Sequence, residues 1–161
     1  MMMKLTVYIE TSVVSYYTSR PSRDLVVAAR QQLTHDWWEQ HRSQVESHIS
    51  TLVIQEAEAG DALAAKRRLK AIDDFPVLEL NEQVLDLAKS LVKAGPIPAE
   101  SFEDALHIAV AAVNGMHFLL TWNCQHINNP QMRPHIVRVV QTSGYECPVI
   151  CTPDELMGGS P

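Results

Sequence analysis

Four apolar runs in this chain each meet one oxygen-bearing side chain at a boundary, and that punctuation restricts what the chain can fold into. Leu5-Thr6-Val7-Tyr8-Ile9 ends in Glu10, which is followed by the helix-opening residues Thr11 and Ser12. The run from His48 to Ile54 ends in Gln55-Glu56. Asp104 opens the nearly unbroken apolar stretch from Ala105 to Val113, and Phe118-Leu119-Leu120-Thr121 ends in Trp122-Asn123. Open α/β sheets bind ligands just beyond the carboxyl ends of their strands. Acids collected at such an edge without lysines among them suit a hard divalent cation held by oxygen.

Strand-like and helix-like segments alternate along the chain, which indicates an α/β fold with a mainly parallel sheet. After the first strand, Thr11 to Tyr17 reads as a short helix or turn. Arg23 to Gln44 reads as one long helix, with Leu25, Val26, Ala29, Leu33, Trp37 and Trp38 near helical spacing. Ile49 to Leu52 fits a short strand, followed by a helix that carries Glu56 and breaks at Gly60. Asp61 and Asn81 have the character of N-caps for helices reaching Ile72 and Ala94, on either side of a short strand within 76–80. Gly95-Pro96-Ile97-Pro98 is a loop. Ser101 and Asp104 resemble a capping box at the start of the most apolar helix, which stops at Asn114-Gly115. A buried strand at 118–121, a loop at 123–130, a helix at 132–142 and an edge strand at 148–152 complete the pattern. Residues 157–161 read as a frayed tail.

With 161 residues, 46% of them apolar and 20% charged, the chain is long enough for one domain with a full core. Residues 3–156 are expected to form it. No apolar run approaches the roughly 20 residues that cross a bilayer. The first residues pass directly into a strand, leaving no room for a secretion signal, so a cytoplasmic location is expected. Cys124, Cys147 and Cys151 are an odd number without a CxxC pair and read as free thiols. A net charge of −6 argues against strong non-specific DNA binding. It leaves room for a nucleic-acid enzyme whose metal ions meet the phosphates. No phosphate-binding glycine loop and no GxSxG elbow is present, which disfavours nucleotide triphosphatases, dinucleotide dehydrogenases and serine hydrolases.

Asp104 is the strongest chemical signal, because a carboxylate beside a helix that is apolar on every side must be paired or metal-bound. Its alternative role is a first-turn acid facing the helix dipole. Glu10 should emerge at the carboxyl end of a central strand, with Thr11 and Ser12 able to support it through their hydroxyls. Glu56 falls on the apolar stripe with Leu52 and Val53, whereas Glu58 faces solvent. Glu100 shares a helix face with Asp104, and Glu103 points about 100° away from it. His107, one turn beyond Asp104, reads either as a core histidine or as a supporting group. In the loop after the last buried strand, Asn123 offers an amide oxygen to a metal or a water, and His126 is placed to meet a phosphate.

These motifs together resemble the PIN domain family, the metal-dependent ribonucleases that include the VapC-type toxins of toxin–antitoxin pairs. The similarity is carried by 8–12 (YIETS), 50–56 (STLVIQE), 103–109 (EDALHIA) and 119–123 (LLTWN), and it spans Val7 to about Thr152. It implies a single PIN-like domain with a central parallel sheet flanked by helices. It also implies Glu10, Glu56 and Asp104 as ligands of Mg2+ or Mn2+, with Asn123 holding a water or the scissile phosphate. An RNA substrate, an antitoxin protein and a homodimer follow from the same resemblance. In two places the chain departs from the family pattern. The first acid is the longer Glu10 where the family has aspartate, and neutral Asn123 stands where a further aspartate is common. Those departures leave a second reading open, a PIN-fold module with weakened catalysis that binds nucleic acid or protein. Surplus apolar surface around Trp37 and Trp38 is the expected dimer contact.

Overall fold

The computed structural model describes residues 3–158. Five strands form one sheet: β1 (Thr6–Ile9), β2 (Glu46–Ser50), β3 (Val77–Leu78), β4 (Phe118–Leu120) and β5 (Val149–Cys151). Their order is β3-β2-β1-β4-β5, and every pairing is parallel. The helices are α1 (Thr11–Thr18), α2 (Leu25–Asp36), α3 (Thr51–Glu58), α4 (Ala62–Ala71), α5 (Glu82–Lys93), α6 (Phe102–Val113), α7 (Arg133–Thr142) and α8 (Pro153–Leu156). The strand order reverses between β1 and β4, which creates a crevice at their carboxyl ends. For crossovers of the usual right hand, this order sends α1–α4 to one face and α5–α7 to the other. The packing agrees, with α1 against α2, α3 and α4, and α5 against α6 and α7.

Local chemistry places most of these boundaries where the sequence puts them. Asp24, Ser50, Asp61 and Asn81 cap α2, α3, α4 and α5 by accepting backbone N–H bonds. Gly60 sits at φ +84°, a conformation that ends the α3 segment and suits glycine. Eight successive residues of α6, Ala105 to Ala112, are buried, as a helix covered by both the sheet and α5 requires.

The structure corrects four expectations. The long helix from Arg23 stops at Asp36 and continues as a π turn (Trp37–His41) and a 3-10 turn (Arg42–Gln44). Leu25 and Val26 are 86% and 62% exposed, so the buried face begins only at Gln31 and Thr34. The second strand is Glu46–Ser50, because parallel pairing to Thr6–Tyr8 fixes its register and Ser50 then caps a helix containing Leu52. Ser101 makes no capping bond, since a 3-10 turn at Ala99–Ser101 leads directly into α6. Trp37 and Trp38 are 1% and 5% exposed: they belong to the core and leave no apolar surface there for a dimer. Tyr17 stacks flat on Trp38 at 4.2 Å and Trp38 packs against Phe75, which accounts for their burial. Beyond α8, Met157 and Gly158 form a turn, and the rest of the expected tail, 159–161, lies outside the described residues.

Candidate active site

The crevice is built at the tips of the two central strands. Glu10 follows β1 and is only 6% exposed. Its backbone N–H bonds Leu120 across to β4 at 3.0 Å. Its carboxylate is the N-cap of α1, taking the Ser12 N–H on Oε2 at 3.0 Å. Oε1 accepts the Ser12 hydroxyl at 2.5 Å and the Thr121 hydroxyl at 2.6 Å. Ser12 Oγ in turn accepts the Trp122 N–H at 2.8 Å. The side chains of Glu10, Ser12 and Thr121 thereby knit the start of α1 to the end of β4.

Glu56 arrives from the second turn of α3. Its Oε1 accepts the Thr11 hydroxyl at 2.5 Å and His107 Nε2–H at 2.7 Å. Candidate ligand atoms of Glu10, Glu56 and His107 all lie within 4.8 Å of one another. Both nitrogens of His107 are already engaged, however, because Nδ1 meets the Tyr8 hydroxyl at 2.7 Å. Tyr8 continues to Ser50 Oγ at 2.8 Å, and that oxygen also takes the Val53 N–H. A carboxylate only accepts, so Nε2 carries a proton in either charge state of the ring. In this arrangement His107 orients Glu56.

Electrostatics follow the same geometry. Burial alone lowers the pKa of His107, but the Glu56 hydrogen bond and the charges of Glu10, Glu56 and Asp104 outweigh it and raise the pKa above the usual 6.5. Burial also pushes Glu56 upward; the bond and charge of His107, with help from Thr11, reverse this and hold it below 4.5. Tyr8, fully buried, stays a neutral hydroxyl because burial drives its pKa well above 10. When protonated, His107 offsets part of the repulsion among the acids.

Asp104 stands in the first turn of α6, where its Oδ2 pairs with His126 Nδ1 at 2.9 Å. Glu56, Glu100, Glu103 and Asp104 line one open cleft of about 530 Å³. Glu103 is exposed within that lining, as its helical position predicts. Asn123 is turned inward: its Oδ1 accepts the His126 N–H at 3.0 Å. That bond orders the loop that carries His126 to Asp104.

The PIN domain family model matches residues 7–123. The chain belongs to the PIN domain family. One solved structure with the same fold is VapBC2 from Rickettsia felis bound to a DNA fragment from their promoter. It aligns at a TM-score of 0.53 and 11% identity, covering 92% of this chain and 98% of that one. No curated protein matches the chain.

PIN domains are generally metal-dependent nucleases, and the donor set of this one fits a hard divalent ion. Among the described residues Glu56 Oε2 accepts no protein hydrogen bond, and Glu10 Oε2 accepts one of the two that a carboxylate oxygen can take. Glu10 and Glu56 offer carboxylate oxygens, the donor type that hard divalent cations take.

The sequence motifs named Glu10, Glu56 and Asp104 with the supporting Thr11, Ser12, His107 and His126; the fold brings Glu10, Glu56 and His107 within 4.8 Å of one another, while Asp104 stands outside that group, paired with His126 and sharing the open cleft with Glu56. Tyr8, Ser50 and Thr121 escaped notice. A tyrosine inside an otherwise aliphatic central strand was a signal available for the first, since a buried hydroxyl needs a partner.

Proposed function

We propose that this PIN domain is a metal-dependent endoribonuclease, a VapC-like toxin hydrolysing RNA phosphodiester bonds. The observation that carries the reading is the convergence of Glu10 and Glu56 within 4.8 Å, with Asp104 lining the open cleft beside Glu56. Glu10, Glu56 and Asp104 would hold Mg2+ or Mn2+. Such an ion, when bound, lowers the pKa of a water and stabilises charge developing at phosphorus. The protein's own residues do the positioning. His107 and Thr11 hold one oxygen of Glu56 and leave the other facing the crevice. Ser12 and Thr121 fix Glu10, and Asn123 places His126 against Asp104. A cytoplasmic location, a homodimer and an antitoxin partner belong to the same proposal.

A second reading, a PIN-fold module of weakened catalysis, is favoured by Asn123. A neutral amide there leaves the crevice one acid fewer than is common in the family. A fluorescent single-stranded RNA incubated with and without manganese separates the two. Metal-dependent cleavage that disappears in Glu56→Gln supports the nuclease. RNA binding without cleavage at any manganese concentration supports the module.

A further inference from the structure

A groove between the end of α5 and α7 shares no lining residue with the carboxylate cleft. Its floor and walls are Ser90, Lys93 and Ala94 at the end of α5, with His135, Arg138, Val139 and Thr142 along one stripe of α7. The volume is about 480 Å³, and no acidic residue lines it. In a chain with 19 acids and 13 Lys and Arg residues, an acid-free groove with two full cations calls for a counter-charge from outside. Lys93 and Arg138 are exposed, and among the described residues neither has an ion pair or a hydrogen bond. One cation in the last turn of a helix is explained by the helix dipole. Lys93 fits that explanation; Arg138 sits in the middle of α7 and does not.

Placement ties the groove to the crevice. Ala94 borders the groove and Glu100 borders the carboxylate cleft. Six residues separate them, so the two sites are at most about 22 Å apart by chain reach. A few nucleotides of single strand span that interval. The apolar side chains of Ala94 and Val139 suit a sugar or base, and the cations at the rim suit phosphate.

We propose that this groove between α5 and α7 is a backbone-binding subsite for single-stranded RNA, engaging phosphates through Lys93 and Arg138 a few nucleotides from the bond that is cut. The proposal rests on the nuclease reading for its substrate, but its test reads binding and not cleavage. A labelled single-stranded RNA is titrated with the metal-free protein at several salt concentrations. Each phosphate contact on a single strand contributes about 0.7 to the slope of log affinity against log salt. In the double variant Lys93→Gln, Arg138→Gln the slope falls by about 1.4, and affinity drops at least tenfold at low salt. Lys66→Gln, Arg67→Gln on α4, across the sheet, is the charge-matched control and leaves affinity within twofold.

An equal loss in the control overturns the subsite, because general charge then accounts for binding. So does parental affinity in the groove variant, and so does a changed monomer–dimer equilibrium with no change in RNA binding. RNA binding that depends on the groove in a protein that cleaves nothing keeps the subsite and rejects the nuclease. Manganese-dependent cleavage with an unaltered salt slope in the groove variant does the reverse. Circular dichroism melting of each variant verifies that a loss of binding is not a loss of fold.

Discussion

Replacing Tyr8 with Phe isolates the buried chain behind Glu56, because the ring volume is kept and one oxygen is removed. Tyr8 is 0% exposed, and its hydroxyl bridges Ser50 at 2.8 Å and His107 at 2.7 Å. Without it, two polar groups lose a partner where water does not reach. Leaving a buried group unsatisfied costs about 1–3 kcal/mol. Ser50 still receives the Val53 N–H, so its share lies at the low end. His107 loses the one partner that Nδ1 has among the described residues, so its share is larger. The sum expected for Tyr8→Phe is about 2–3 kcal/mol. In a domain of this size each kcal/mol moves the melting midpoint by about 2–4 °C, which gives a fall of about 4–12 °C. Urea unfolding at pH 7 followed by circular dichroism measures the free energy directly. A manganese titration of the same protein should show affinity reduced about tenfold or more, since an outer partner that orients a ligand is commonly worth that much. Unfolding within about 0.5 kcal/mol of the parent would refute the reasoning, because the hydroxyl would then have been dispensable.

Other outcomes follow from the same geometry. The contribution of His107 to metal-free stability is complete below pH 6.5 and is lost as pH rises through its raised folded pKa. That of Glu56 is present above pH 4.5 and is lost as pH falls through its lowered one. Urea midpoints measured from pH 4 to 9 should therefore decline on both sides of a plateau, and Glu56→Gln should flatten the alkaline side. Asp104→Asn should abolish manganese-stimulated RNA cleavage. Because Asp104 is paired with a part-exposed His126, that change should alter metal-free stability by no more than about 1 kcal/mol in urea. Asn123→Asp keeps an acceptor for the His126 N–H and adds a charge, so calorimetry should find tighter manganese binding. Ellman's reagent at pH 8 should titrate one thiol in the native protein, the exposed Cys124. Burial pushes Cys147 up to about 11 and Cys151 up to about 12, so those two react only after unfolding.

What could be read from the sequence was whatever depended on neighbours in the chain. Asp61 and Asn81 announce their helices because an N-cap acts on residues two or three positions away. The apolar run after Asp104 gave a buried helix for the same reason. The Arg23–Gln44 segment misled because helical spacing says nothing about which turn reaches the core. Leu25 and Val26 overhang, whereas polar Gln31 and Thr34 are enclosed, Thr34 to receive the Trp122 indole N–H at 2.7 Å. Positions of the acids were legible as strand and helix ends, but their partners were not. His107 to Glu56 and His126 to Asp104 span 51 and 22 residues, and only the folded sheet brings them together. The role of Asn123 was hidden for a different reason: a loop amide can turn outward to solvent or inward to its own backbone, and composition does not choose.

Glu10 does two jobs with one carboxylate, capping α1 and locking β1 to the tip of β4 while facing the crevice. The consequence is evolutionary. A lineage losing the need for catalysis could drift at Asp104 with little harm to folding, since its partner lies in a surface loop. At Glu10 the same drift would unfasten the centre of the sheet. Inactive descendants of such a chain should therefore be expected to keep this glutamate long after the other acids have gone, and its presence alone is a poor sign of activity.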